Sequence, residues 1–144
     1  MSIVVPSEYG YVLAASAANA LHLGWLALGV GAARRKAGIP YPYLYAERSE
    51  AEKDKVKHLF NCAQRAHQNT LEMFPLVNTL LLIGGLCHPK LSASASALYM
   101  FGRILYAWGY KTGNPDSRFR GLISYLGLFA LMYSTGSSLH TLLK

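Results

Sequence analysis

The stretch FNCAQRAHQNTLEMFP, residues 60–75, stands directly before the apolar run LVNTLLLIGGL, residues 76–86. It is polar at the start of a predicted membrane-crossing helix. At about 100° per residue on a helical wheel, its polar side chains gather within about 60° of one another. This polar face consists of Asn61, Arg65, Gln68 and Glu72, with Asn69 just beside it. The stretch therefore predicts a helix that is polar along one stripe and apolar elsewhere.

Long parts of the chain carry no charged side chain. Residues 9–33 and 121–143 are free of charge, and each is long enough to cross a hydrocarbon core of about 30 Å as a helix. Two more stretches reach this length if a few internal polar groups are accepted. We therefore expect an all-α fold, a transmembrane four-helix bundle that forms one integral-membrane domain over residues 1–144. The predicted helices cover residues 9–34, 59–87, 91–110 and 120–143.

The charge pattern orients this predicted bundle. Residues 34–57 hold seven Lys or Arg and residues 111–120 hold three, whereas the opposite side has only Lys90 and Lys144. Basic residues collect in cytosolic loops of membrane proteins, so loops 35–58 and 111–119 are expected in the cytosol and both termini in the lumen. The basic loops would also lie beside anionic membrane lipid. Because these residues border membrane spans and no recognition module is visible, the net charge of +7 does not indicate nucleic-acid binding.

A second polar stripe follows on the third predicted helix, at spacings of four, three and four residues. It consists of Tyr99, Arg103, Tyr106 and Tyr110. Together with Arg34, Arg118 and Arg120, the two stripes bring arginines from four helices to the predicted cytosolic end. Ionisable residues at membrane depth normally face the bundle interior and serve function. One arginine could simply pair with Glu72 and fix helix register, but one glutamate cannot neutralise the whole set. The excess positive charge predicts an anionic ligand.

Other residues refine this expectation. His67 lies well off the first stripe, as it would if the site lay between subunits and one helix contributed to two sides. Cys62 and Cys87 both fall within predicted spans, and we interpret them as small buried residues rather than as a disulfide. No Cys/His constellation suggests a metal, so no metal site is predicted.

The segment QRAHQNTLE, residues 64–72, followed by GRILYAWGYKTG, residues 102–113, resembles the MAPEG family of membrane-associated glutathione and eicosanoid enzymes. The resemblance runs from about Glu8 to the last helix and is greatest to the type-3 microsomal glutathione S-transferases. It implies a four-helix membrane bundle assembled as a homotrimer, with lumenal termini. It also implies that glutathione binds between subunits near the cytosolic face.

The resemblance also assigns residues. The positions that match glutathione-binding residues of the family are Arg34, Arg65, His67, Asn69, Glu72, Arg103, Tyr106 and Tyr110. One further arginine, in the loop before the last helix, activates the thiol. This is Arg118, with Arg120 as the alternative because the loop is slightly longer than in some relatives. Phe74 departs from the type-3 pattern, which has a tyrosine before the proline, so one hydroxyl contact is missing.

The implied activity is that of a membrane-bound glutathione transferase and peroxidase. The glutathione thiolate would attack a lipophilic electrophile or reduce a lipid hydroperoxide. The expected location is the endoplasmic reticulum or a related membrane, such as the nuclear envelope or the mitochondrial outer membrane. Two alternatives belong to other classes. One is a non-catalytic lipid-binding scaffold of the same family, and the other is a small channel lined by buried Arg and Glu.

Overall fold

A computed structural model describes residues 6–144, and all regular structure in that range is helical. The all-α class is therefore confirmed. The four long helices are α1 (Tyr9–Ala37), α3 (Lys55–Gly84), α4 (Pro89–Lys111) and α5 (Ser124–Leu142). Two short elements lie in the connections: helix α2 (Arg48–Ala51) and a 3₁₀ helix (Pro115–Gly121).

The helix ends follow from local sequence and differ from the predicted limits by a few residues. Helix α1 continues past residue 34 to Ala37, where Gly38 adopts a left-handed conformation with φ 65° and ends the helix. Helix α3 begins at Lys55 rather than at residue 59, because the Asp54 side chain accepts a hydrogen bond of 2.8 Å from Val56 N. It ends at Gly84 rather than at residue 87, and Pro89 then starts α4.

Helices α3 and α4 form the centre of the molecule, since each contacts α1, α5 and the other. Small polar residues let these helices approach closely, as expected for membrane helices. Ser92 and Ser96 on α4 are fully buried. Ser92 Oγ donates to Ser134 Oγ at 3.0 Å, and Asn19 Nδ2 donates to Ser96 Oγ at 2.9 Å. These bonds join α1, α4 and α5 through neutral groups.

The 3₁₀ helix packs on α4 through glycines. A Cβ atom on Gly109 would overlap the carbonyl oxygen of Ser117, and one on Gly121 would lie 2.6 Å from Tyr106 Cβ. The end of α4 and the 3₁₀ helix are therefore in direct backbone contact. This contact fixes the position of Arg118 relative to Tyr106.

Fewer helices than predicted are long and apolar enough to cross a membrane. Among residues 6–144, α1 alone is long and apolar enough to cross a membrane by itself. The 3₁₀ helix and α5 qualify together, although they meet at a bend of 45°. Helices α3 and α4 carry the polar stripes, which lower their hydropathy. The prediction of four spans with lumenal termini remains a prediction.

Candidate functional site

Arg65 and Glu72 form an ion pair on the outer face of α3. Arg65 Nη1 lies 3.2 Å from Glu72 Oε1, across two helical turns. Their side chains are 45% and 48% exposed, so each retains surface for a further partner. One arginine thus pairs with Glu72, as predicted by the alternative in which such a pair only fixes helix register. An exposed pair of this kind adds less than about 1 kcal/mol to stability.

Arg103 lies behind this face and is only 6% exposed. Its Nη2 donates to Asn69 Oδ1 at 2.8 Å and to Thr70 Oγ1 at 2.9 Å. Its guanidinium also stacks 3.9 Å from the centre of the Tyr106 ring. All of these partners are neutral, and no carboxylate in the part of the chain that the structure describes lies within 4 Å. Among residues 6–144 of one chain, Arg103 is therefore a buried charge without an acidic partner.

Thr70 is a site residue that sequence reasoning did not find. Its hydroxyl accepts from Arg103 and donates to the carbonyl oxygen of Ala66 at 2.9 Å. It lies about 140° from Arg65 around α3, and therefore off the polar stripe. The sequence around Thr70 does not mark it as a site residue, because its partner Arg103 belongs to another helix.

Two tyrosines of α4 complete a surface that we call the wall. Its other members are Arg65, Asn69, Glu72 and Arg103. The rings of Tyr106 and Tyr110 lie 5.2 Å apart at 59°. The backbone of Arg118 lies against Gly109, the residue before Tyr110, with its nitrogen 2.9 Å from the position of a Cβ on that glycine. Two helices and the 3₁₀ segment thus bring arginine and tyrosine side chains toward one region.

Arg118 and Arg120 occupy different sides of the 3₁₀ helix, about 120° apart. Arg118 Nη1 donates to the Pro115 carbonyl at 2.9 Å and to Asp116 Oδ1 at 3.3 Å. Its side chain is 34% exposed. Arg120 is exposed. The structure therefore places the Arg118 backbone beside the end of α4, whereas the Arg120 side chain leaves the 3₁₀ helix on another side.

Arg34 is positioned by the first loop rather than by this wall. It is 7% exposed, and its Nη1 donates to the Tyr43 carbonyl at 2.6 Å. Its guanidinium lies 4.6 Å from the Tyr41 ring and 4.9 Å from the Phe60 ring. Within one chain, Arg34 thus holds residues 39–43 against α3. A role in ligand binding would require a neighbouring subunit.

His67 and Asn61 also differ from the rest of the set. His67 is partly buried and lies about 160° from Arg65 around α3. Asn61 shares the stripe of Arg65, but its side chain is used by the loop. Its Oδ1 accepts from Ala46 N at 2.8 Å and its Nδ2 donates to Ala46 O at 2.9 Å. The stripe therefore serves the loop at Asn61, near the start of α3, and is exposed further along at Arg65 and Glu72.

His58 links the two segments that carry the site. Its Nε2 donates to the carbonyl oxygen of Gly113 at 2.7 Å, joining the first turn of α3 to the turn before the 3₁₀ helix. Gly113 has φ 80° and so favours a residue without Cβ. This contact was not predicted, because its partner is a backbone atom 55 residues away.

The assembled groups suit a zwitterionic ligand with a net negative charge. Arg65 and Arg118 offer partly exposed guanidinium groups, which bind carboxylates through two parallel hydrogen bonds. Glu72 offers a carboxylate for an ammonium group. Asn69 and the tyrosines add neutral donors. Within residues 6–144 no group of three His, Cys, Asp or Glu side chains is arranged to hold a metal ion.

Two comparisons with known proteins bear on this site. The sequence profile of the MAPEG family matches residues 12–139, from the first turn of α1 into the last turn of α5. Human microsomal glutathione S-transferase 2 is 30% identical over 125 residues, which cover 86% of this chain and 78% of that protein. Both matches include the two polar stripes.

Proposed function

Because this chain belongs to the MAPEG family, we propose that it is a membrane-bound glutathione transferase with glutathione-dependent peroxidase activity. It would act as a homotrimer of transmembrane four-helix bundles in the endoplasmic reticulum or a related membrane, with lumenal termini. Membership of the type-3 branch remains a prediction, because the human relative is microsomal glutathione S-transferase 2.

The observation that carries this proposal is the unpaired charge of Arg103. The guanidinium is buried and hydrogen-bonded only to neutral oxygens. A buried charge without a counter-ion costs several kcal/mol, roughly, unless an ionic partner compensates it. Arg103 contacts Asn69, which lies about one helical turn from both Arg65 and Glu72, so an anion bound at that face would compensate the Arg103 charge through space. Glutathione carries two carboxylates and one ammonium group, and the neighbouring side chains match those charges.

We assign the glutathione contacts as follows. Arg65 would bind a carboxylate and Glu72 the ammonium group, after the pair between them opens. Asn69 Nδ2, Tyr106 and Tyr110 would donate hydrogen bonds to the peptide backbone of glutathione. Arg34 and His67 would come from the adjacent subunit, because they face away from this wall in one chain. Arg103 would act from behind, by fixing Asn69 and Tyr106.

Arg118 would activate the sulfur. A free thiol has a pKa of about 8.5 and is mostly protonated at neutral pH, whereas the thiolate is the nucleophile. A guanidinium close to the sulfur stabilises the thiolate, so the thiol proton is released to water. The backbone contact of Arg118 with Gly109, next to Tyr110, supports its choice over Arg120.

The thiolate would then react with a lipophilic acceptor. Attack on an electrophilic carbon forms a C–S bond while a leaving group departs with its electron pair, or, at an activated double bond, the π bond breaks and the adjacent carbon takes a proton from water; either route gives a glutathione conjugate. Attack on the O–O bond of a lipid hydroperoxide gives an alcohol and glutathione sulfenic acid, which a second glutathione converts to the disulfide and water. An acceptor dissolved in the membrane would reach the site from the lipid side.

Thiolate formation tests the proposal directly. Ultraviolet difference absorbance would be measured on detergent-purified protein with glutathione, for the wild type, Arg118→Ala and Arg120→Ala. We expect a thiolate signal in the wild type and in Arg120→Ala, and its loss in Arg118→Ala. The absence of a signal in the wild type at millimolar glutathione would instead favour the lipid-binding scaffold. Conductance of reconstituted vesicles would reveal the channel.

A further inference from the structure

Among residues 6–144, three buried side-chain atoms that can form hydrogen bonds have no protein partner: His22 Nε2, Asn78 Oδ1 and Arg103 Nε. Within a membrane-spanning bundle such an atom is costly, because the surrounding lipid offers it no hydrogen bond. Two of the three atoms belong to residues that line one cavity, since His22 and Arg103 both face the space between α1, α3 and α4. A partner shared by these two atoms would satisfy both.

This cavity, which we call the α1–α4 cavity, has the size of a water site. Its volume is about 10 Å³, roughly what one water molecule requires and too small for an organic ligand. Besides His22 and Arg103, the polar residues Asn19, Thr70 and Tyr99 line it. Buried waters occupy cavities with several polar partners, whereas cavities with only apolar walls stay dry.

Helix packing brings His22 and Arg103 to the same cavity. Asn19 Nδ2 donates to Ser96 Oγ, which fixes α1 beside α4. His22 lies about one turn further along α1, and Arg103 about two turns further along α4. Side chains of an α-helix tilt toward its N-terminus, so the long arginine side chain reaches back toward the level of His22.

We propose that one buried water molecule joins Arg103 Nε to His22 Nε2, and that His22 thereby positions Arg103. The Nε–H group of arginine can only donate, and a neutral imidazole with its proton on Nδ1 accepts at Nε2. One water accepts from the first group and donates to the second. Because Nη2 already donates to Asn69 and Thr70, the guanidinium is then held along two edges.

The positioning role rests on the proposed function, whereas the water site does not. Arg103 orients the Asn69 amide, which we assign to glutathione. His22 contacts neither glutathione nor Asn69 in this arrangement and acts only through Arg103. It is therefore a positioning residue rather than a catalytic one.

The competing explanation is that His22 serves only as a flat ring. It stacks on Trp25, with 6.1 Å between ring centroids and 26° between ring planes. Two variants separate the explanations. His22→Gln keeps a hydrogen-bond acceptor and loses the ring, whereas His22→Phe keeps a ring and loses both nitrogens.

Crystal structures of the detergent-purified full chain, at a resolution that shows ordered water, test the site itself. In the wild type we expect one water within about 2.7–3.2 Å of both His22 Nε2 and Arg103 Nε. In His22→Phe the guanidinium should turn and lose its bond to Asn69, whereas His22→Gln should keep that bond. A dry cavity, a direct bond between His22 and Arg103, or an unmoved Arg103 in His22→Phe would overturn the proposal.

The affinity for glutathione, measured by isothermal titration calorimetry, tests the positioning role. The dissociation constant should rise by about fivefold in His22→Phe, as expected for the loss of one hydrogen bond, and stay near the wild-type value in His22→Gln. His140→Phe is the control, because His140 is exposed on α5 and does not line the cavity. The opposite order, with weak binding in His22→Gln and normal binding in His22→Phe, would assign His22 to ring packing.

Failure of this proposal can be told apart from failure of the proposed function. The water and the bond between Arg103 and Asn69 are observed without glutathione. If the wild type shows neither glutathione binding nor a thiolate signal, the enzyme is rejected and the crystal structures still decide the water site. If the wild type and both variants bind glutathione equally well, the enzyme stands and His22 does not position Arg103.

Discussion

Arg103 fixes the orientation of the Asn69 amide, since its Nη2 donates a hydrogen bond of 2.8 Å to Asn69 Oδ1. The oxygen of the amide is thereby occupied by α4. Its nitrogen, with two donor hydrogens, remains available to a ligand. A buried arginine on one helix thus determines which hydrogen-bonding group the next helix presents.

Asn69→Asp should weaken glutathione binding. The aspartate would pair with Arg103, neutralise its charge and remove both amide donors from the ligand. We expect the dissociation constant to rise by about tenfold, equivalent to about 1.4 kcal/mol. Isothermal titration calorimetry in detergent would measure it. Asn114→Asp is the matched control, because Asn114 Oδ1 accepts from Asp116 N at 3.0 Å and aspartate can make the same bond. Equal constants for wild type and Asn69→Asp would show that the amide donors are not used.

Glu72→Gln should affect binding more than folding. Its pair with Arg65 is about half exposed, so the free energy of unfolding should change by less than about 1 kcal/mol. The affinity for glutathione should fall because the ammonium group loses its carboxylate partner. A glutathione analogue without the amino group should bind wild type and variant alike. Glu52→Gln, which breaks the exposed Arg48–Glu52 pair, is the control. A large loss of thermal stability with unchanged affinity would assign Glu72 to folding.

Gly109→Ala should separate glutathione binding from thiol activation. The added methyl group would overlap the Ser117 carbonyl and displace the 3₁₀ helix that carries Arg118. We expect glutathione to bind but the thiolate absorbance to disappear. Gly24→Ala is the control: its Cβ meets open space, and alanine favours a helix over glycine by up to about 1 kcal/mol. A full thiolate signal in Gly109→Ala would contradict the assignment of Arg118.

Arg34→Ala should loosen the first loop. The substitution leaves the Tyr43 carbonyl without its donor and removes the contacts with Tyr41 and Phe60. The Arg34–Tyr43 hydrogen bond is part-buried, so its loss costs about 1 kcal/mol. Limited proteolysis should therefore cut residues 39–46 faster than in the wild type, while the exposed Arg35→Ala should behave normally. Unchanged proteolysis together with weaker glutathione binding would make Arg34 a ligand residue alone.

The sequence predicts those parts of the site that depend on helical periodicity. Arg65 and Glu72 meet because residues seven apart share a face of any α-helix. The all-α class follows from the same periodicity and is confirmed. The assignment to the MAPEG family is confirmed as well, because the family profile matches residues 12–139, a range that includes both stripes.

The remaining contacts depend on tertiary structure. Asn61 lies on the stripe but bonds to Ala46, and Thr70 lies off the stripe but bonds to Arg103. No periodicity within α3 distinguishes these two cases, because each partner belongs to another segment. The sequence predicts a loop where the 3₁₀ helix lies. That segment is held by a contact of Ser117 with Gly109 of α4, which no helical periodicity reveals. The roles of individual residues toward glutathione remain predictions.

The glycine contact between α4 and the 3₁₀ helix has a mechanical consequence. With the Gly109 backbone against Ser117 and Gly121 against Tyr106, neither segment can slide past the other. Any tilt of α4 would therefore carry Tyr106, Tyr110 and Arg118 together as one rigid body. The spacing between the arginine and the tyrosines would survive such a motion, and only their distance from α3 would change. Opening and closing of the pocket would then reduce to a single movement of α4 relative to α3.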